Sequence, residues 1–446
     1  MPERPEPKAK AGVIKVGAKL IGWATDAKLR EKGASGGLVT ALLAAALKKG
    51  LVDKVLTLKK ISEFEAVPVL TSEVEEVLQS GGSMHSVPVN LARYLPEGIG
   101  EQRIALPAKP CDARAVIERA KRNAVDLEKT FLIGLNCGGS IHPETTRKML
   151  KTVYRLDPEE ISGEEIVKGK LIFFTKDGKE HAISIDELEE KGLGRRENCR
   201  YCSVKIPINA DLACGNWGVT GAFAGQGTFV EVRTEKGAKL LRNALEAGFA
   251  KVEPAEEKGI RVREKINRIM LKLSEKNRQE IFSPIEAKQG PERLKYFQKA
   301  LENCIHCGAC KAVCPVCTCG EDSKCTSYTS REDSYKISLF HLVRFLHLSD
   351  SCLGCGQCED VCPAEIPLTR LYQCFATPVR EAFDYMPGMS AQTPPYFALK
   401  LEKECGCQHG LEKAGLEESS CVKEPEREGE REGQRQGQGQ GQGGCC

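Results

Sequence analysis

The sequence predicts an α/β (α+β) N-terminal domain followed by an α-helical domain built around cysteine. Three observations predict it. Short β-branched and apolar runs alternate with helical runs over the first 230 residues. The 446 residues include 22 cysteines, many in closely spaced runs beyond residue 300. The balance of 65 Lys+Arg against 62 Asp+Glu, with 41% hydrophobic residues, suits ordinary buried cores. A net charge of +3 lacks the basic excess of a nucleic-acid binder. No apolar run reaches the roughly 18 residues of a membrane span. Residues 1–10 are Pro- and charge-rich, so no signal peptide is expected. A chain this long does not need disulfide stapling, so cysteine reads as metal ligand.

Residues 13–16 and 19–25 are strand candidates. Gly33-Ala34-Ser35-Gly36-Gly37 then opens a helix over 38–49, which Gly50 ends. Such a turn aims backbone N–H groups outward and suits a phosphate. It also serves as a plain tight turn, with glycine for positive φ and a Ser N-cap. Residues 52–58 are a third strand, and 71–95 hold an acidic helix and then Gly82-Ser83. Strand 104–106 leads to Pro110-Cys111 and a helix over 112–122; strand 131–135 leads to Asn136-Cys137. Loops at strand ends are where α/β folds place function, although a lone cysteine is often an inert buried thiol.

Residues 161–186 read as a β-meander. Cys199 and Cys202 then form a C-x2-C pair, with Cys214 after it. A zinc site would want a second pair soon after. Cys111 and Cys137 are the available partners, and four thiolates suit an iron–sulfur cluster or a four-cysteine zinc site. Residues 234–289 read as charged helix and linker, with helix-spaced Ile260, Val262, Ile266, Ile269 and Leu273.

The strongest signal comes next. Cys304, Cys307, Cys310 and Cys314-Pro315 repeat the spacing of Cys352, Cys355, Cys358 and Cys362-Pro363. This is C-x2-C-x2-C-x3-C-P, which wraps 4Fe-4S cubes in bacterial-type ferredoxins, the fourth cysteine serving the other cluster. One cluster is therefore expected on Cys304, Cys307, Cys310 and Cys362, and the other on Cys352, Cys355, Cys358 and Cys314. The glycines after Cys307 and Cys355 relieve crowding. The insert between the runs carries an amphipathic helix over 337–348 (Ile337, Phe340, Val343, Leu346), an interaction element on this reading. Cys317, Cys319 and Cys325 read as extra ligands or spare thiols, and His306, His341 and His347 as packing or capping residues. Beyond residue 376 come Cys405 and Cys407, then a Gly/Gln tail expected to be disordered from Glu424, ending in Cys445-Cys446. The expected domains are 12–95, 96–285, 286–375 and 376–446.

Paired cubanes conduct single electrons, so a two-electron donor or acceptor needs a flavin as converter. Residue matches extend this. Gly33–Gly37 before a helix, Gly82-Ser83, Pro110-Cys111, Gly134 to Cys137, Val167-Lys168-Gly169-Lys170, and Cys199/Cys202 followed by Ala210-Asp211 and Gly215 stand in one order over some 200 residues. In this the chain resembles the beta-subunit family of coenzyme F-420-dependent hydrogenases and dehydrogenases. The resemblance implies a flavin- and F-420-binding α/β domain followed by a two-cluster ferredoxin-like domain. It implies FAD, a 4Fe-4S cluster and hydride exchange with coenzyme F-420 as substrate. It carries over Cys111, Cys137, Cys199 and Cys202 as ligands of a third cluster, with Cys214 as substitute. FAD is placed against Ser35, Gly36, Gly37, Ser83, Lys168 and Gly169. The C-terminal double run resembles the formate dehydrogenase branch, implying a molybdopterin- or tungstopterin-type formate dehydrogenase alpha subunit as partner. Exposed cubanes and free thiols tolerate oxygen poorly, so a cytoplasmic location is expected. The alternatives are a hydrogenase, sulfite reductase or heterodisulfide reductase complex, or a flavin-free polyferredoxin-like carrier.

Overall fold

The computed structural model describes residues 14–97, 100–320, 323 and 339–396. The expectations for Val13, Cys325, Ile337, Cys405, Cys407 and the tail from Glu424 lie outside the described residues.

An eight-stranded mixed sheet forms first along the chain: β1 (Lys19–Ala24), β2 (Lys54–Ser62), β3 (Glu65–Thr71), β4 (Ile104–Ala108), β5 (Thr130–Leu135), β9 (Leu212–Gly215), β10 (Thr228–Val232) and β11 (Ala250–Pro254). Its order is β11-β1-β10-β9-β5-β4-β2-β3, parallel from β9 through β2 and antiparallel toward both edges. The period of two in β2, β4 and β5 divides the core. Val55, Ala105 and Ile133 face helices α2 (Leu38–Lys48) and α8 (Glu235–Glu246). Leu56, Leu106 and Leu132 face α4 (Pro110–Ala120) and, beyond it, the cysteine-rich helices. One continuous apolar core thus joins the sheet to the C-terminal part. Between β5 and β9 lies a small antiparallel sheet, β6 (Ile161–Val167), β7 (Lys170–Thr175) and β8 (Glu180–Ser184), with its own core around Phe173.

The cysteine-rich part follows the 30-residue helix α9 (Glu257–Glu286). It comprises α10 (Gly290–Leu301), α11 (Ala309–Ala312), α12 (Leu339–Ser349), α13 (Gln357–Asp360) and α14 (Leu368–Phe383).

Four expectations need correction. Residues 14–16 form no strand: Ile14 plugs the core while the chain turns at Gly17, whose φ is +86°. Ser35 does not cap α2; Gly37 does, in the left-handed region. Residues 234–289 are not all helix and linker, because Ala250–Pro254 forms an edge strand paired with β1. The insert helix is rotated from its apolar pattern: Leu346 is 64% exposed, while His341 and Arg344 point inward.

Candidate functional site

Each cysteine run makes a loop and one short helical turn. Gly308 and Gly356 are the N-caps of α11 and α13, with φ of +73° and +81°. His306 and Gly354, the equivalent loop positions, are also left-handed. This backbone turns amides toward sulfur, and His306 N donates to Cys304 Sγ at 3.4 Å.

The structure brings the cysteines together across the two runs. Cys304, Cys307, Cys310 and Cys362 wall one cavity, with Phe340, His341 and Leu368. Cys314, Cys352, Cys355 and Cys358 wall a second, with Arg344 and Tyr372. No carboxylate is among the described residues lining either cavity, and soft thiolates alone suit iron–sulfur chemistry. Among the described residues no three His, Cys, Asp or Glu side chains converge on one ion-sized point. Burial pushes the Cys310 thiol up to about 11 and the Cys358 thiol well above its ordinary range. These are thiols that an electrophilic metal group would deprotonate. Of the eight, only Cys307 is exposed.

The α/β cysteines gather beside the second cavity. Cys111 lies in the first turn of α4, one residue after Pro110, which suits the N1 position. Cys137 follows β5, its amide donating to Lys205 O at 2.8 Å. Cys199 lies in α7 (Glu197–Arg200), and Cys202 follows it. Burial pushes Cys137 up to about 11, with the charge of Cys199 adding to it. Cys111 is raised further, by burial first, and feels both Cys137 and Cys355. Burial also raises Cys199, but Arg196 and hydrogen bonds from Ser140 outweigh it and leave that thiol below its ordinary range. Buried Arg114 senses Cys202, Cys111 and Cys352. Cys214 stands apart from this group, in the apolar core beneath the sheet. Burial raises its thiol to about 12, and Arg263 is the charge that acts on it.

Residues not anticipated from the sequence stitch the α/β cysteines to the second run. Arg196 Nη2 donates to Cys355 O at 3.2 Å and lies 3.7 Å from Cys199 Sγ. Its Nη1 pairs with Asp360. Asn198 Nδ2 donates to Gly354 O at 3.0 Å, and Gln357 ties the run to Pro88 and Asn90. The only sequence signal for Arg196 and Asn198 is their place beside Cys199.

The proposed flavin residues each occupy a turn. A Cβ at Gly36 would lie 2.2 Å from Gln226 O, and one at Gly37 2.4 Å from Leu29 O, so the turn's own packing demands both glycines. Lys168 and Gly169 are the left-handed pair of the β6–β7 hairpin. Exposed Ser83 lies in a loop whose end is held by Glu164, which accepts from Ser86 N at 2.7 Å.

Fold and cysteine placement define a class: an oxidoreductase subunit with a mixed α/β region and a C-terminal 4Fe-4S dicluster domain, to which residues 300–366 match. Residues 20–96 and 101–258 match the N- and C-terminal parts of the family described as coenzyme F-420 hydrogenase/dehydrogenase, beta subunit. The chain is 41% identical over 381 residues to F-420-dependent formate dehydrogenase 1 subunit beta of Methanococcus maripaludis, covering 83% of this chain and 95% of that one. It is 24% identical to the coenzyme F-420 hydrogenase subunit beta of Methanothermobacter thermautotrophicus, over 57% of this chain and 90% of that one. Its fold matches a chain of the F-420-reducing [NiFe] hydrogenase complex from Methanosarcina barkeri with a TM-score of 0.51 at 17% identity, over 61% of this chain and 94% of that one. The chain belongs to the coenzyme F-420 hydrogenase/dehydrogenase beta-subunit family. No described helix is long and apolar enough to cross a membrane.

Proposed function

We propose that the chain is the beta subunit of a cytoplasmic F-420-dependent formate dehydrogenase. The observation that carries this is the extent of the match. Relatives named for formate dehydrogenase align over 83% and 84% of the chain, cysteine-rich part included, whereas the hydrogenase relative aligns over 57%. Formate itself is oxidised, on this reading, by a pterin-type alpha subunit.

The wall cysteines of the two cavities are the ligands of two 4Fe-4S clusters, Cys304, Cys307, Cys310 and Cys362 of one and Cys314, Cys352, Cys355 and Cys358 of the other. Cys111, Cys137, Cys199 and Cys202 hold a third, and Cys214 is left as a core thiol. FAD lies against the first turn of α2 near Ser35, Gly36 and Gly37, with Ser83, Lys168 and Gly169 beside it. Bound there, the clusters would carry single electrons and the flavin would convert between those electrons and the hydride of coenzyme F-420. The protein's own contribution is placement. Exposed Cys307 marks the end of the series that a partner can reach. Arg196 spans the gap between Cys355 and Cys199, and the Gly37 turn presents the unpaired amides of a helix start.

The test uses the anaerobically reconstituted holo chain with FAD, assayed for F-420 reduction from a reduced viologen dye and, with the partner subunit, from formate. Cys310→Ser is expected to abolish the formate-driven rate and keep the dye-driven one. Equal loss of both overturns this wiring, and a cluster-loaded chain that ignores F-420 overturns the substrate.

A further inference from the structure

Helix α12 lies between the two cysteine runs and turns two polar side chains toward their thiols. Arg344 is 3% exposed and lines the Cys314-side cavity. Its Nη2 donates to Cys310 O at 3.3 Å and its Nε to Tyr372 OH at 3.0 Å. The rings of Phe340 and Tyr372 lie 5.6 and 5.7 Å from its Cζ. It lines only the Cys314-side cavity, but its bond to the Cys310 carbonyl and its charge on Cys314, Cys310 and Cys317 bring it to both cysteine sets. Its leading partners are phenol and thiols, with no carboxylate among them. A buried cation is costly without a nearby anion, and the cysteine sets supply that anion.

One turn earlier, His341 is 1% exposed, and its Nε2 lies 3.1 Å from Cys304 Sγ. Its Nδ1 is buried with no hydrogen-bond partner among the described residues. A neutral imidazole has one donor and one acceptor nitrogen. Placing the proton on Nε2 gives Cys304 an N–H···S bond and leaves only an acceptor unpaired.

From this geometry we propose that α12 is a redox-tuning helix. Arg344 favours the added electron at both cysteine sites, and His341 favours it at the Cys304-side site alone. The inference rests on the reading that the two cavities hold 4Fe-4S clusters. One-electron reduction adds a unit of negative charge to a cube and makes or breaks no bond. A buried cation and an N–H donor both stabilise that charge and raise the potential.

The test is a redox titration of the reconstituted holo chain followed by EPR, with iron and acid-labile sulfide counted first. Arg344→Gln is expected to shift both centres downward by at least tenfold in reduced-to-oxidised ratio at fixed potential, about 59 mV for one electron. Arg344→Lys restores most of the shift. His341→Phe lowers only the centre whose signal Cys307→Ser alters. Unchanged potentials in Arg344→Gln and His341→Phe at wild-type iron content overturn the proposal, as does a shift that lysine leaves unrestored. If Arg344→Gln does not hold its clusters, His341→Phe decides by its single-centre shift. A wild-type chain without iron for two clusters in this part overturns the underlying reading instead.

Discussion

Glu164 and His85 are neighbours whose pH dependences oppose each other. Glu164 accepts from Ser86 N and Ser86 Oγ, yet burial outweighs these bonds and lifts its carboxyl from 4.5 to about 7. Burial lowers the imidazole of His85 from 6.5 to about 4. The raised carboxyl adds stability that is full below its ordinary value of 4.5 and lost as pH rises through about 7. For the lowered imidazole the unfolded chain takes the proton first, so stability falls as pH drops from 6.5 toward about 4. Each swing is on the order of 3 kcal/mol at about 1.4 kcal/mol per unit, so the two largely cancel in the wild type. Glu164→Gln should therefore gain thermal stability between about pH 5 and 6.5, and His85→Gln should lose it between about pH 5 and 7. Anaerobic calorimetry of both variants checks this, and slopes of the same sign exclude the pairing. At this scale the sequence was legible wherever partners are local. The two cysteine runs declare their spacing within a dozen residues, whereas Arg344 and Arg196 matter through groups far along the chain. Nothing near Arg344 in sequence marks it as special, and Arg196 has only its place beside Cys199.

Helix α7 shows what an element adds. Four residues long, it carries Cys199 while its flank and face carry Arg196 and Asn198 to the second cysteine run and Glu197 to Arg370 on α14. The approach is so close that a Cβ on Gly356 would lie 2.6 Å from Asn198 Oδ1 and 2.8 Å from Arg196 Nη1. The motif glycine thus serves the junction as well as its own loop. Arg196→Gln leaves Asp360 buried without its cation, which should cost about 3 kcal/mol. The urea midpoint of the holo chain should fall accordingly. On the proposed wiring, formate-driven F-420 reduction should fall further than dye-driven reduction, because the variant loosens the contact between the second run and Cys199. A variant with wild-type ratio of the two rates assigns Arg196 to stability alone. Elements were legible where periodicity and caps agree, as in β1, β4, β5, α2 and the β6–β8 meander. They were not where tertiary partners override pattern. β11 is short, with two charged residues among its five, and it becomes a strand because β1 offers it an edge. α12 turns against its apolar stripe because thiols and Tyr372 offer its polar residues better partners.

At the scale of the molecule, the sheet buries its two faces differently, one under its own helices and the other under the cysteine-rich part. A strap beyond α14 fastens this second contact. Tyr385 OH and Gly388 N donate to Glu118 Oε1 on α4 at 2.7 and 2.6 Å, and Arg114 Nε donates to Pro387 O at 2.8 Å. Tyr396 N reaches Asp350 Oδ2 at 3.2 Å, at the end of α12. The strap therefore grips both parts at once, and their shared core should make them unfold together. Two intrinsic probes test this. Both tryptophans, Trp23 and Trp217, lie in the α/β part, while visible absorbance of the clusters reports chiefly on the C-terminal part. Their denaturant midpoints should coincide in the wild-type holo chain. Gly388→Ala should lower both midpoints in step. Its φ is +69°, and the new Cβ would lie 2.3 Å from Arg114 O, a combination of strain and overlap worth about 2–3 kcal/mol. If the cluster signal is lost first in the variant while tryptophan fluorescence holds, the strap stabilises the cysteine-rich part alone. If the midpoints separate already in the wild type, the common apolar core does not couple the two parts. The proposed electron passage between Cys355 and Cys111 would then depend on the Arg196 junction rather than on the fold as a whole.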